Sequence, residues 1–289
     1  MLSRLCVIGA GTMGRGISQV AAISGIATVL CDTQEHALLE ARRQIAASVE
    51  QGISKGKSPP TARDALAAGL TYSSDAASAA RDADIVIEAV PEVAAVKMAT
   101  FERIGGIVRP ACILASNTSS LSITGLAAAA SHPDRFIGLH FFNPVPIMSL
   151  VEIVRGLETS QATLDAALEF VRRIGKEPIV VNDSPGFATS RLGVALGLEA
   201  IRMLEAGVAS AQEIDRAMEL GYKHPMGPLR LTDLIGLDVR LAIAENLHRE
   251  VGEQFRPPVL LRNMVRAGRL GKKNGRGFYD WPADDQARR

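Results

Sequence analysis

The feature that most restricts the fold lies at the start of the chain, where a short apolar run ends in spaced glycines. Leu5 to Ile8 is continuously apolar, as a parallel strand buried on both faces should be, and it leads into Gly9-Ala10-Gly11-Thr12-Met13-Gly14. A helical pattern follows through Ile17, Val20 and Ala21, and a second strand, Ala27 to Leu30, ends at Asp32. Gly9 permits a tight turn, Gly11 lets backbone approach a pyrophosphate, and Gly14 lets helix pack closely on sheet. The helix N-terminus then faces the phosphates. Asp32 falls where the ribose-binding acid of a dinucleotide fold belongs. A carboxylate there repels the 2′-phosphate of NADP, and the following Thr33 is neutral, so NAD is the expected cofactor. Glycines alone would also suit a βαβ unit with ordinary turns and no phosphate; the second strand and its terminal acid favour the dinucleotide.

The remaining pattern extends this start into an α/β sheet. Glu35 to Val49 has a helical apolar stripe, and the polar segment Gln51 to Thr61 reads as a connection or a helical-hairpin tip. Leu70-Thr71-Tyr72 reads as a strand, with Asp75 as a helix cap. Further strands are expected over 84–90, 111–115, 136–142, 150–154 and 177–181, with a helix from Lys97 to Ile107. From Phe187 onward the periodicity is helical: Ala188 to Ala206, Ala211 to Leu220, and Leu234 to Arg249. The expected architecture is a Rossmann-type, doubly wound sheet over 1–182 followed by an all-helical domain over 183–289. The apolar faces of that second part (Leu192, Leu196, Ile201, Leu204) are too extensive for a solvated satellite and suggest packing on a second copy, a homodimer. The tail after Trp281 is expected to be disordered.

Composition excludes several partners. A formal net charge of +1 gives no electrostatic footprint for nucleic acid or an anionic membrane, and 4% aromatics leave few base-stacking platforms. Cys6, Cys31 and Cys112 sit in or beside apolar runs without metal-ligand spacing, so buried thiols in a reducing compartment are expected and no metal is. No apolar stretch reaches transmembrane length, and a cytoplasmic location is expected.

Two polar features interrupt the apolar pattern. Ser116-Asn117-Thr118-Ser119-Ser120 follows a strand, where open α/β sheets place ligands, although Ser119 or Ser120 could equally cap the helix over 123–130. His140 lies in Leu139-His140-Phe141-Phe142-Asn143-Pro144, and Glu152 lies on the next apolar run. If those runs are neighbouring strands, the acid can hold one ring nitrogen, which fixes the tautomer and strengthens the other as a base. A core histidine satisfied by a chance acid fits the same residues.

The chain as a whole resembles the 3-hydroxyacyl-CoA dehydrogenases of the short-chain, 3-hydroxybutyryl-CoA type. The glycine fingerprint, the 116–120 cluster and the 140–144 segment carry the resemblance. So do Ser184-Pro185-Gly186-Phe187, His224-Pro225-Met226-Gly227-Pro228 and Gly275-Arg276-Gly277-Phe278-Tyr279. The resemblance implies reversible hydride transfer between C3 of an (S)-3-hydroxyacyl thioester and NAD, in fatty acid metabolism. It implies His140 as the general acid/base, Glu152 as its partner, and Ser119 as a hydrogen-bonding group on the 3-oxygen. Glu92, Lys97, Asn143 and Lys273 match positions lining the NAD site, beside Gly9, Gly11, Thr12, Met13, Gly14 and Asp32.

Two positions depart from the family. Ser190 stands where an asparagine usually contacts the 3-oxygen and thioester region. Gln51 falls where relatives place a lysine on CoA, although Lys55 and Lys57 follow. Both bear on the acyl carrier, so a thioester on a carrier protein is an alternative to acyl-CoA. A further alternative is a non-catalytic NAD-binding dimer, which would bind NADH without turning over any thioester; the retained Ser119, His140 and Glu152 argue against it. A free hydroxy acid would need a cation for its carboxylate, and none is identifiable near Ser119.

Overall fold

The N-terminal apolar run forms strand β1 (Arg4–Ile8), whose neighbours on both sides make it an interior strand of an eight-stranded sheet. The computed structural model describes residues 2–282, divided into two compact units between Ser184 and Pro185. In the first, β1 leads through α1 (Thr12–Ile23) to β2 (Ala27–Cys31), then α2 (Glu35–Ser54), α3 (Ala62–Gly69) and β3 (Leu70–Ser73). After α4 (Ala76–Ala80) come β4 (Ile85–Glu88), α5 (Ala94–Gly105), β5 (Ile113–Ser116), α6 (Ile123–Ala127) and β6 (Phe136–Phe141). β7 (Leu150–Arg155), α7 (Gln161–Arg173) and β8 (Glu177–Asn182) complete it.

The sheet order is β3-β2-β1-β4-β5-β6-β7-β8. The first six strands are parallel; β7 runs antiparallel to β6, and β8 is parallel to β7. This is the Rossmann arrangement, in which the chain reverses its direction of travel between β1 and β4 and opens a crevice at the strands' carboxyl ends. Val7, Leu30, Ile85, Ile87 and Ile137 fill the core of this unit, as expected of strands covered on both faces. All three cysteines are buried and unpaired by disulfide.

The second unit is built from α8 (Thr189–Glu205), α9 (Ala211–Tyr222), α10 (Pro228–Ile235), α11 (Leu237–Glu250) and α12 (Val259–Arg266). Its core gathers Val194, Leu198 and Ile201 from α8 with Leu229, Leu237 and Leu247. Among the described residues no helix is long and apolar enough to cross a membrane.

Four local expectations change. Helix α2 continues through Gln51 to Ser54, past Val49, the last residue of its buried stripe. The helix expected from Leu234 to Arg249 is two helices, broken at Gly236, whose φ of +109° no helix accommodates. Leu192 does not belong to the buried face of α8 and is 70% exposed. Helix α6 is capped by Ser122, whose hydroxyl accepts from Gly125 N at 3.0 Å, not by Ser119 or Ser120. The expected disordered tail lies, from residue 283 on, outside the described residues.

Candidate active site

The glycine turn is built as its spacing requires. Gly9 adopts φ +110°, and a Cβ on it would lie 2.6 Å from the carbonyl oxygen of Ala89. A Cβ on Gly14 would lie 1.8 Å from the Gly9 carbonyl oxygen, so only glycine allows α1 to approach the turn this closely. Gly11 faces open space, and α1 begins there without a side-chain cap. Uncapped amide groups at a helix N-terminus form an anion site, and the empty volume above Gly11 is where phosphate oxygens fit. Gly9, Gly11, Thr12, Met13, Asp32 and Val90 help line a groove of about 1180 Å³. Asp32 is fixed at its rim by Ala10 N at 2.8 Å and Gln34 N at 3.0 Å, leaving lone pairs on both oxygens. These residues fit a dinucleotide.

Beside this groove lies a buried charge network that the sequence only half revealed. Lys97 is 1% exposed and donates to Glu88 Oε1 at 2.7 Å and to the Val90 carbonyl oxygen at 3.3 Å, and it pairs with Glu92 Oε2 at 3.2 Å. Its three protons are thus committed within the protein. Glu88, at the end of an otherwise apolar strand, also takes the Ser116 hydroxyl at 2.7 Å and Val90 N at 2.8 Å. Glu92 accepts from the Thr118 hydroxyl at 2.5 Å, Ser119 N at 2.8 Å and Ser120 N at 3.2 Å. Burial works to raise the Glu92 carboxyl, but the Lys97 charge and these hydrogen bonds outweigh it and hold it below its ordinary value. The network ties the turn carrying Ser119 to the ends of β4 and β5.

His140 and Glu152 face each other directly across β6 and β7. His140 Nδ1 lies 2.7 Å from Glu152 Oε2, with side-chain exposures of 6% and 0%. The carboxylate engages Nδ1 and so directs proton transfer to Nε2. Asn117 Oδ1 accepts from Phe141 N at 2.9 Å, joining the segment before Ser119 to the residue after His140. The loop beyond His140 contains exposed Asn143, joined to Pro144 by a cis peptide bond. Lys176 holds that loop from beneath, donating to the carbonyl oxygens of Val145 at 2.6 Å and Met148 at 2.7 Å. Glu88, Asn117 and Lys176 were the site-forming residues that sequence reading left without a role. The signals available were an acid ending an apolar strand, an amide directly after another, and a lysine following a helix-ending glycine.

Gln51 and Lys55 lie one turn apart at the exposed end of α2. In the second unit, Ser190 sits in the first turn of α8, and Lys273 is ion-paired to Asp238. The other motifs there build the fold. Asp215 accepts from Leu229 N at 2.7 Å, Arg230 N at 2.9 Å and the Tyr279 hydroxyl at 2.7 Å, and so starts α10. Asp233 accepts from Phe278 N, Tyr279 N and Trp281 Nε1, each at 2.9 Å. A Cβ on Gly277 would strike that carboxylate at 2.1 Å.

The chain is similar to known proteins along both units. Residues 4–184 match the domain described as 3-hydroxyacyl-CoA dehydrogenase, NAD binding domain, and residues 186–281 match its C-terminal domain. The chain is similar to a probable 3-hydroxybutyryl-CoA dehydrogenase of Deinococcus radiodurans, 46% identical over 95% of this chain and 99% of that protein. A 3-hydroxybutyryl-CoA dehydrogenase of Mycobacterium tuberculosis is 44% identical over 97% of this chain and 99% of its own. The crystal structure of the (S)-3-hydroxybutyryl-CoA dehydrogenase of Ralstonia eutropha superimposes with a TM-score of 0.94 at 43% identity, covering 98% of this chain and 100% of that one.

Proposed function

The chain belongs to the 3-hydroxyacyl-CoA dehydrogenase family of NAD-dependent oxidoreductases, and from that premise we propose that it interconverts (S)-3-hydroxyacyl-CoA and 3-oxoacyl-CoA thioesters of short chain. The observation that carries the reading is the buried His140–Glu152 pair at 2.7 Å, in the same unit as the Gly9–Gly14 turn. Bound NAD supplies the hydride acceptor, held by the Gly11 turn and Asp32. As hydride leaves C3, His140 Nε2 takes the proton of the 3-hydroxyl, and in reduction it returns that proton to the 3-oxygen. Glu152 holds Nδ1–H and offsets the charge the ring acquires. Ser119 donates to the 3-oxygen, with its turn stapled by Glu92. Ser190 is a further polar contact to the substrate, and Glu92, Lys97, Asn143 and Lys273 support the cofactor, Lys97 through the groups it holds.

Lys55 and Lys57 are exposed and unpaired among the described residues, which favours a phosphate-bearing carrier such as CoA at the end of α2. A carrier-protein thioester is the second reading, motivated by Gln51 in place of a lysine. Exposed Leu192, Leu220 and Tyr222 suit a homodimer. The test is NADH oxidation by the purified protein with acetoacetyl-CoA. Rapid turnover that His140→Ala abolishes, with NADH binding retained, is expected; turnover surviving in His140→Ala overturns the mechanism.

A further inference from the structure

We propose that Arg15 is a phosphate-reading residue of the cofactor groove, its guanidinium adding a charged side-chain contact to the pyrophosphate of NAD beside the backbone amides of the glycine turn. Arg15 closes the first turn of α1 and is half-buried in the wall of the groove. Its side chain lies back over the turn, with Nη1 3.5 Å from the Ala10 carbonyl oxygen and Nη2 3.3 Å from Thr12 Oγ1. Those two residues flank Gly11, beside which no atom occupies the space a Cβ would meet. The guanidinium is therefore held next to the place where the turn leaves room for phosphate oxygens.

Among the described residues nothing neutralises this charge. Both contacts are long for hydrogen bonds, and they occupy two of the five N–H donors of the guanidinium. Glu40 of α2 is near enough to feel the Arg15 charge, but Arg43 holds that carboxylate through Nε at 2.9 Å and Nη2 at 2.7 Å, and Gln44 donates to it as well. Asp32 accepts instead from Ala10 N and Gln34 N. Helix α1 has no acid in its first turn and no side-chain cap, so Arg15 adds to the positive end of the helix dipole where an acid would oppose it. A cation there destabilises the empty protein, and the negative charge of a pyrophosphate offsets that cost. Helix amides bind phosphate whatever the side chains are, so this contact is a separate contribution of Arg15. A guanidinium can present parallel N–H bonds to phosphate oxygens, whereas an ammonium acts as a point charge. The inference rests on the NAD reading of the groove and makes no use of the thioester.

The experiment measures the Kd of NADH by fluorescence titration for the wild type, Arg15→Met and Arg15→Lys, at low and high salt. Arg15→Met keeps most of the stem's packing and removes the charge. It is expected to weaken NADH binding about tenfold at about 25 mM salt and about threefold or less at about 500 mM, where the contact is screened. Arg15→Lys should restore part of the loss. ADP-ribose, which keeps the pyrophosphate and lacks the nicotinamide, should lose the same factor in displacement of NADH, and adenosine should lose nothing. Without cofactor, Arg15→Met should melt at or above the wild type, because a cation has left a positive helix end. A Kd for NADH within twofold of the wild type, a loss independent of salt, or an equal loss for adenosine overturns the proposal. So does a clearly lower melting temperature, which would show that the guanidinium serves the empty fold. Unchanged NADH affinity with weakened NADPH binding would put Arg15 at the ribose 2′ position and overturn it as well. A wild type that binds neither NADH nor ADP-ribose refutes the NAD reading and this inference with it, whereas tight binding by wild type and Arg15→Met alike refutes this inference alone.

Discussion

Replacing Glu152 with glutamine tests the catalytic pair most directly. The substitution preserves shape at a position with no solvent exposure but replaces a full charge facing His140 Nδ1 at 2.7 Å with an amide. A hydrogen bond to a charged group contributes about 1.5–3 kcal/mol. That contribution is largest when the ring is positive, which is the state reached as His140 takes the substrate proton. The loss therefore falls on the transition state more than on the bound substrate, and kcat for oxidation should drop roughly 10- to 150-fold. The KM for NAD should stay within a few-fold, because the Gly11 turn and Asp32 are untouched. Steady-state NADH formation from (S)-3-hydroxybutyryl-CoA measures both. A kcat within threefold of the wild type would refute the claim that Glu152 acts through His140.

Two other substitutions separate cofactor binding from folding. Gly11→Ala projects a methyl into open groove and should leave the melting temperature unchanged while weakening NADH binding by about 1–3 kcal/mol, read by fluorescence titration; Gly9→Ala, strained at φ +110° and only 2.6 Å from a carbonyl oxygen, should lower the melting temperature instead. Lys97→Met strands the fully buried Glu88 carboxylate and should destabilise the protein by about 3–5 kcal/mol in chemical denaturation, and a loss under about 1 kcal/mol would mean that the Ser116 hydroxyl and Val90 N–H suffice for Glu88.

The parts legible in the sequence are those whose physics is local. A buried parallel strand, a glycine turn and a helix start lie within twenty residues of one another, so β1, the turn, α1 and β2 could be read directly. Asp75 as a cap was equally local, its carboxylate accepting from Ala77 N at 2.9 Å and Ser78 N at 3.2 Å. What escaped depends on distant partners. Ser119 and Ser120 looked like caps because nothing nearby competes for them, yet Glu92, twenty-seven residues from Ser119, takes both backbone N–H groups. Gly236 looked like an isolated glycine in a helical pattern. Its break instead lets α10 end where the backbone of Asp233 is covered by Gly271, a contact that periodicity cannot encode.

The reversal at β7 is what turns two sequence features into one site. His140 and Glu152 are twelve residues apart, and only an antiparallel return can set them directly opposite each other over so short a connection. The connecting loop must then hold its shape without regular hydrogen bonding. Lys176 supplies that restraint: β8 runs parallel to β7 with Glu177 beside Leu150, which brings the residue just before β8 under the loop. There a buried ammonium, its pKa lowered by burial, donates to two carbonyl oxygens of the loop. On the other side, Val145 packs so closely on Gly16 of α1 that a Cβ there would sit 2.7 Å away. The helix that begins at the cofactor turn and the loop that follows the histidine are therefore in direct contact.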